Sequence, residues 1–216
     1  MFNSSHCRMC NHRVKFYDLI PVVSYLLLKG KCRVCKEKIS IRYPLVELFT
    51  GILALLLYLK YGATFLWLKY TLLSCWAIVI GFIDLDTTDV YVKTTVSGIG
   101  IAIIFIIIGG FYGNDIWNYI IGGALGGGII AIIILLTKGM GWGDAEVFLL
   151  GGLFIGLELT LVAMFFSFVL GAVFSVLFIV FHKKSRKDYI PFAPYISMAL
   201  IISILFGDKI LQIYLS

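Results

Sequence analysis

"GMGWGDAEVFLLGG", residues 139–152, sets three glycines and a carboxylate, Asp144, directly before an apolar run. What that run packs into decides the fold, and the rest of the chain gives the answer. Of 216 residues 61% are hydrophobic and 14% charged, and the mean hydropathy is +1.01, which excludes an ordinary soluble globular domain. Apolar windows lie at 44–60, 64–83, 91–109, 116–137, 145–156, 158–181 and 193–206. Several can cross about 30 Å of hydrocarbon as helices. None shows the alternation of an outer-membrane barrel strand. The chain is therefore expected to be all-α, a polytopic transmembrane helical bundle of about seven helices. The fifth window, which holds Asp144, is short for a crossing and is expected to be tilted, continuous with its neighbour, or re-entrant.

Lys and Arg number 18 against 12 Asp and Glu, giving a formal net charge of +6. Nine of them precede residue 43, and four more sit in "HKKSRK" (182–187). Such asymmetry reports orientation rather than nucleic-acid binding, because basic residues stay on the cytoplasmic side. With the head inside, segments 84–90, 138–144 and 182–190 face the cytoplasm and carry Lys138, Lys183, Lys184, Arg186 and Lys187. The outward turns 61–63, 110–115 and 157 carry no Lys or Arg. The basic surface also suits anionic lipid headgroups, so membrane lipids are an expected partner and nucleic acid is not. "HCRMCNHRVK" (6–15) occupies the place of an apolar signal core, so no cleavable signal peptide is expected.

The chain divides into a polar head, 1–42, and a membrane domain, 43–216. The head's one apolar patch, Leu19 to Leu28, is too short to span and is expected to fold or lie at the membrane surface. Cys7, Cys10, Cys32 and Cys35 form C-x2-C, a gap of 21 residues and a second C-x2-C. Paired knuckles of this kind wrap four thiolates around zinc, and a head with so small a core needs such a staple. A cytoplasmic setting argues against disulfides, and no βαβ pattern supports a redox C-x-x-C. Cys75, in mid-helix, reads as packing; His6 and His12 are possible but unneeded ligands, and no Ser-His-Asp or HExxH arrangement appears. "GGALGGG" (122–128) places Gly122 with Gly126 and Gly123 with Gly127, the small-residue spacing of closely packed membrane helices.

Two acids stand at cytoplasmic helix ends: Asp84 in "IGFIDLDTTDVYV" and Asp144. An ionisable group at membrane depth is a functional candidate by default, although Asp144 also suits a helix cap. Gly139, Gly141 and Gly143 tip the balance. They allow backbone angles closed to other residues and let a substrate strand approach the main chain. Two carboxylates in a partly dry site share a proton, and that pair can hydrolyse a peptide bond: one member takes a proton from water while the other hydrogen-bonds the carbonyl oxygen.

"GWGD" (141–144) with "IDLD" (83–86) resembles the GxGD class of intramembrane aspartic proteases, specifically the type IV prepilin peptidase family. "CRMC", "CRVC", "ISIRYPLVELFTG" (39–51), "GMGWGDAEVFLLGGLFIG" (139–156) and "PFAPYISMA" (191–199) are similar to that family's blocks in the family's order, from about residue 5 to residue 200. The resemblance implies that Asp84 and Asp144 are the catalytic pair, with Asp86 and Asp89 as neighbouring loop charges. It further implies cleavage, at the cytoplasmic face of the inner membrane, of prepilin-like substrates just after a glycine between a short basic leader and an apolar helix. Methylation of the new N-terminus with S-adenosylmethionine is implied too, an activity usually linked to the cysteine head. The chain departs from the family at Tyr91 and Val92, where Pro and Asp or Asn are usual, and at Glu146, where Lys is usual. The family's further N-terminal membrane helix is expected either upstream of residue 1 or to be missing from a short form. The competing readings are a transporter or channel subunit using Asp84 and Asp144 as proton or cation sites, and an intramembrane protease acting on other peptides.

Overall fold

A computed structural model describes residues 6–7, 9–137, 139–182 and 191–215. After a 3-10 turn (Phe16–Leu19) and the short α1 (Val23–Leu27), each apolar window forms one helix: α2 (Arg42–Tyr61), α3 (Phe65–Thr87), α4 (Val92–Phe111), α5 (Ile116–Thr137), α6 (Trp142–Ile155), α7 (Leu157–His182) and α8 (Ala193–Leu215). Among the described residues there is no β-strand, only two isolated bridges. All of these helices except α1 and α6 are long and apolar enough to cross a membrane, so the chain is a multi-pass membrane protein. Lys138, Lys183, Lys184, Arg186 and Lys187, used above for orientation, lie outside the described residues.

α8 runs well past its expected end at residue 206 because its polar stretch is held. Lys60 Nζ donates to the Ile204 and Leu205 carbonyls (2.8 and 3.0 Å) and to Asp208 Oδ2 (2.8 Å), while the Tyr61 hydroxyl donates to the Ile204 carbonyl (2.8 Å). Hydropathy ends a helix where charge begins; a partner for that charge lets it continue.

Two compact units divide the chain, residues 1–55 and 56–216. In the first, the cysteine pairs sit in turns of the same design. The Cys7 amide donates to the His12 carbonyl (2.9 Å) and the Asn11 amide to the Cys7 carbonyl (2.9 Å); Cys32 with Glu37 (2.8 Å) and Lys36 with Cys32 (3.1 Å) repeat this. Asn11 and Lys36, at the matching position, both take left-handed angles, φ 53° and 59°.

In the second unit α6 is the hub. It packs most extensively on α5 and also against α3, α4, α7 and α8. Its 14 residues span only about 21 Å at about 1.5 Å each, short of the about 30 Å of hydrocarbon. Nor does it continue into α7, because Gly156 turns the chain at φ 81°, ψ 177°, a conformation open essentially to glycine. The exposed backbone is satisfied at once: the Leu157 amide donates to Asn118 Oδ1 (2.9 Å), and the Thr160 amide and hydroxyl both donate to the Gly156 carbonyl (3.1 and 2.6 Å). A broken helix is tolerated at membrane depth on this condition. Gly122, Gly123, Gly126 and Gly127 of "GGALGGG" face this hub. A Cβ on Gly123 would stand 2.7 Å from Leu153 Cγ, and one on Gly126 3.0 Å from the Phe148 carbonyl oxygen. Opposite the Asp-bearing ends of the helices, buried Lys69 of α3 rests its ammonium 3.5 Å from the ring centre of Tyr119 on α5, a cation–π contact that replaces water.

Candidate active site

Asp84 lies in the last turn of α3 and Asp144 in the first turn of α6, 3% and 4% exposed. By contrast Asp86 and Asp89 are exposed, as loop charges are. α3 packs on α6, and both pack on α8, so residues sixty positions apart in the chain share one neighbourhood.

Each carboxylate is anchored by a helix N-terminus. Ala193, the first residue of α8, donates its amide to Asp84 Oδ2 (3.0 Å), where the helix dipole also favours negative charge. Gly141 donates its amide to Asp144 Oδ2 (3.3 Å), the reaching-back half of a capping box. The capping role weighed for Asp144 is therefore present, alongside its burial next to a second acid. The sequence reading missed the Ala193 amide, although the "PFAPYISMA" block that supplies it was visible.

Packing accounts for one of the three glycines. None of Gly139, Gly141 and Gly143 has a positive φ; Gly141 stands at φ −79°, ψ 149°. Gly143 is instead needed for close approach, since a Cβ there would meet Val90 Cβ at 2.5 Å. Val90 follows the "IDLDTTD" segment, so this contact brings the turn carrying Asp144 onto the chain just beyond Asp84.

Glu146, where the resembling family has a basic residue, accepts a 2.5 Å hydrogen bond at Oε2 from the hydroxyl of fully buried Thr95 on α4. This ties the second turn of α6 to α4, and no sequence signal marked Thr95. Thr95→Val, which strands the carboxylate, is expected to lower stability by about 2 kcal/mol, with Thr95→Ser retaining most of it; thermal unfolding in detergent checks both.

In the head, the sulfurs of Cys7, Cys10, Cys32 and Cys35 lie within 4.8 Å of one another, Cys7 and Cys35 at 3.8 Å. Four sulfurs about 2.3 Å from a tetrahedral zinc stand about 3.8 Å apart, so the donor set fits that ion. Backbone amides of Cys10 and Met9 hold the Cys7 thiol down at about 6, and those of Cys35 and Val34 lower Cys32. Although a backbone hydrogen bond from Glu37 favours its thiolate, Cys35 is pushed up to about 12 by desolvation and by the sulfurs of Cys10, Cys32 and Cys7. Four thiolates cannot crowd together unaided, and a dication removes the conflict.

The family described as Type IV leader peptidase family matches residues 71–176, and the Bacterial Peptidase A24 N-terminal domain matches residues 1–61. A prepilin leader peptidase/N-methyltransferase of Aeromonas salmonicida (strain A449) is 32% identical over 220 residues, covering 100% of this chain and 76% of the relative. Relatives of the same description from Pseudomonas putida (30% identical; 96% and 73% covered) and Legionella pneumophila (30%; 98% and 75%) are similarly placed. No solved structure matches the chain.

Proposed function

The chain belongs to the type IV leader peptidase family, and on that premise we propose that it is a multi-pass inner-membrane aspartic endopeptidase that removes the leader from type IV prepilin-like proteins, with Asp84 and Asp144 as its catalytic pair. The observation carrying this reading is the burial of both carboxylates on packed helices, each held by a helix N-terminus.

Two acids so placed do not ionise together, so they hold one proton between them. The ionised member draws a proton from a water molecule as its oxygen attacks the scissile carbonyl carbon, while the protonated member donates a hydrogen bond to the carbonyl oxygen. In the tetrahedral adduct the carbon–nitrogen bond then breaks, the departing amine takes up a proton from the pair, and the dyad returns to its singly protonated state. The amides of Ala193 and Gly141 keep the two carboxylates oriented throughout. Leader cleavage is tested by incubating the detergent-solubilised chain with a prepilin and reading both fragments by mass spectrometry; an intact substrate removes the assignment.

Residues 1–42 form the cytoplasmic head and residues 43–216 the peptidase domain in this reading, with membrane lipids as surroundings and no nucleic-acid partner. Zinc staples the head through Cys7, Cys10, Cys32 and Cys35. Cys32→Ser is expected to reduce the metal from about one ion per chain to none, measured by elemental analysis of the purified protein.

N-methylation of the new N-terminus is part of the same proposal, with S-adenosylmethionine supplying the methyl group. The head has a cleft of about 520 Å³ whose lining includes Tyr25, Tyr43, Glu37 and Glu47. Its size is that of a small-molecule site; Glu37, Glu47 and the tyrosine faces are the groups that would meet sulfonium and ammonium charges, while Arg13, Arg33 and Lys38, also in the lining, would meet the ligand's carboxylate.

A further inference from the structure

The stretch "KFYDLIPVVSYLLLK" (15–29) is built inside out for a head surrounded by water. Phe16, Leu19 and Ile20, and then Val23, Leu26 and Leu27, follow the same i, i+3, i+4 spacing, and all six are between 49% and 83% exposed. The polar side chains between them turn the other way. Asp18 pairs with Arg33 (2.6 Å) and the Tyr25 hydroxyl donates to the Ile39 carbonyl (3.4 Å). An apolar surface of this extent marks a contact with membrane or protein.

Three observations identify what covers it. Lys15 and Lys29 bracket the stretch, both exposed, as cationic residues flank segments that lie on anionic lipid. The chain makes a γ-turn at Val22, φ 61°, ψ −48°, closed by the Val23 amide on the Pro21 carbonyl. The Val22 amide then donates to Glu47 Oε2 (3.0 Å), a residue in the second turn of α2. That bond pins the patch to the first turns of a membrane-crossing helix, where Leu45, Leu48 and Phe49 are themselves exposed. The apolar surface of the head therefore continues into the lipid-facing surface of α2.

We propose that residues 16–27 are an interfacial anchor, with Phe16, Leu19, Ile20, Val23, Leu26 and Leu27 inserted at the headgroup–acyl boundary of the bilayer that α2 crosses. This rests on the membrane reading of α2 and not on the peptidase chemistry.

The test uses the full chain in vesicles of phosphatidylethanolamine and phosphatidylglycerol, with Leu27→Trp and, separately, Leu19→Trp. The parent emission is subtracted, and vesicles with and without lipids brominated near the glycerol end of the acyl chains are compared. The added emission is expected to be blue-shifted, insensitive to aqueous iodide and quenched at least about twofold by the brominated lipid, as insertion by about 5–10 Å requires. Quenching by iodide alone places the patch in water and overturns the anchor. Quenching by neither places it under protein, whether a second copy or the substrate, and also overturns it. Prepilin cleavage is measured on the same samples: lipid quenching without cleavage leaves the anchor standing and removes the peptidase reading, while cleavage without lipid quenching does the reverse.

Discussion

Asp144→Asn is expected to cleave prepilin about a thousandfold or more slowly than the parent chain, and Asp84→Asn to match it, because a positioned general acid or base contributes about 10²–10⁴-fold. Asparagine can neither take the proton of water nor exchange one with its neighbour, so either change leaves a pair that cannot cycle. The double variant is expected to be no slower than the slower single one, since residues acting as a unit are not additive. Folding should survive. The asparagine oxygen still accepts from the Ala193 amide at position 84 and from the Gly141 amide at position 144, so thermal unfolding in detergent is expected to stay close to that of the parent. Asp86→Asn and Asp89→Asn, at exposed positions, are expected to cleave nearly as fast as the parent. Rapid cleavage by Asp84→Asn or Asp144→Asn would remove the dyad, and a large loss on changing Asp86 would move the first acid to that position.

Gly152→Val is expected to abolish the folded bundle, the largest stability effect of any single change considered. A Cβ at position 152 would lie 2.5 Å from the Gly122 carbonyl carbon and 2.7 Å from Gly123 Cα, and a Cβ on Gly122 would lie 2.6 Å from the Gly156 carbonyl carbon. These neighbours are backbone atoms, which have no rotamer to escape into, so α5 and α6 would have to separate. Overpacking a core costs about 1–3 kcal/mol where side chains can shift; here the loss is expected to exceed that range, because the contacts of the hub helix go with it. Gly128 provides the control. It belongs to the same "GGALGGG" run, yet nothing stands within 4 Å of its Cβ position, so Gly128→Ala is expected to be neutral or slightly stabilising, as a helical Gly→Ala change in open space should be. Size-exclusion chromatography of the two variants after solubilisation separates these outcomes. Equal behaviour of both would mean that glycine content, not close backbone approach, governs this interface.

The helices themselves were legible in the residues. Long apolar windows cannot avoid the bilayer, and a helix is the only way such a segment can satisfy its own backbone there, so seven windows became the seven helices α2–α8. The cysteine spacing likewise marked the four sulfurs that lie within 4.8 Å of one another, because each C-x2-C turn is local and repeats the same hydrogen bonds. Asp84 and Asp144 could be singled out because charge is costly at membrane depth. Which surfaces meet is a different kind of information. In lipid the outside of a bundle is as apolar as its inside, so hydropathy does not tell a core-facing leucine from a lipid-facing one. Only the tertiary structure decided that Gly143 makes room for Val90, that Ala193 aims its amide at Asp84, that Thr95 ties down Glu146, and that the small face of α5 receives α6. Each of these depends on a pair of residues far apart in the chain, whose meeting follows from how whole helices pack and not from the composition of either one.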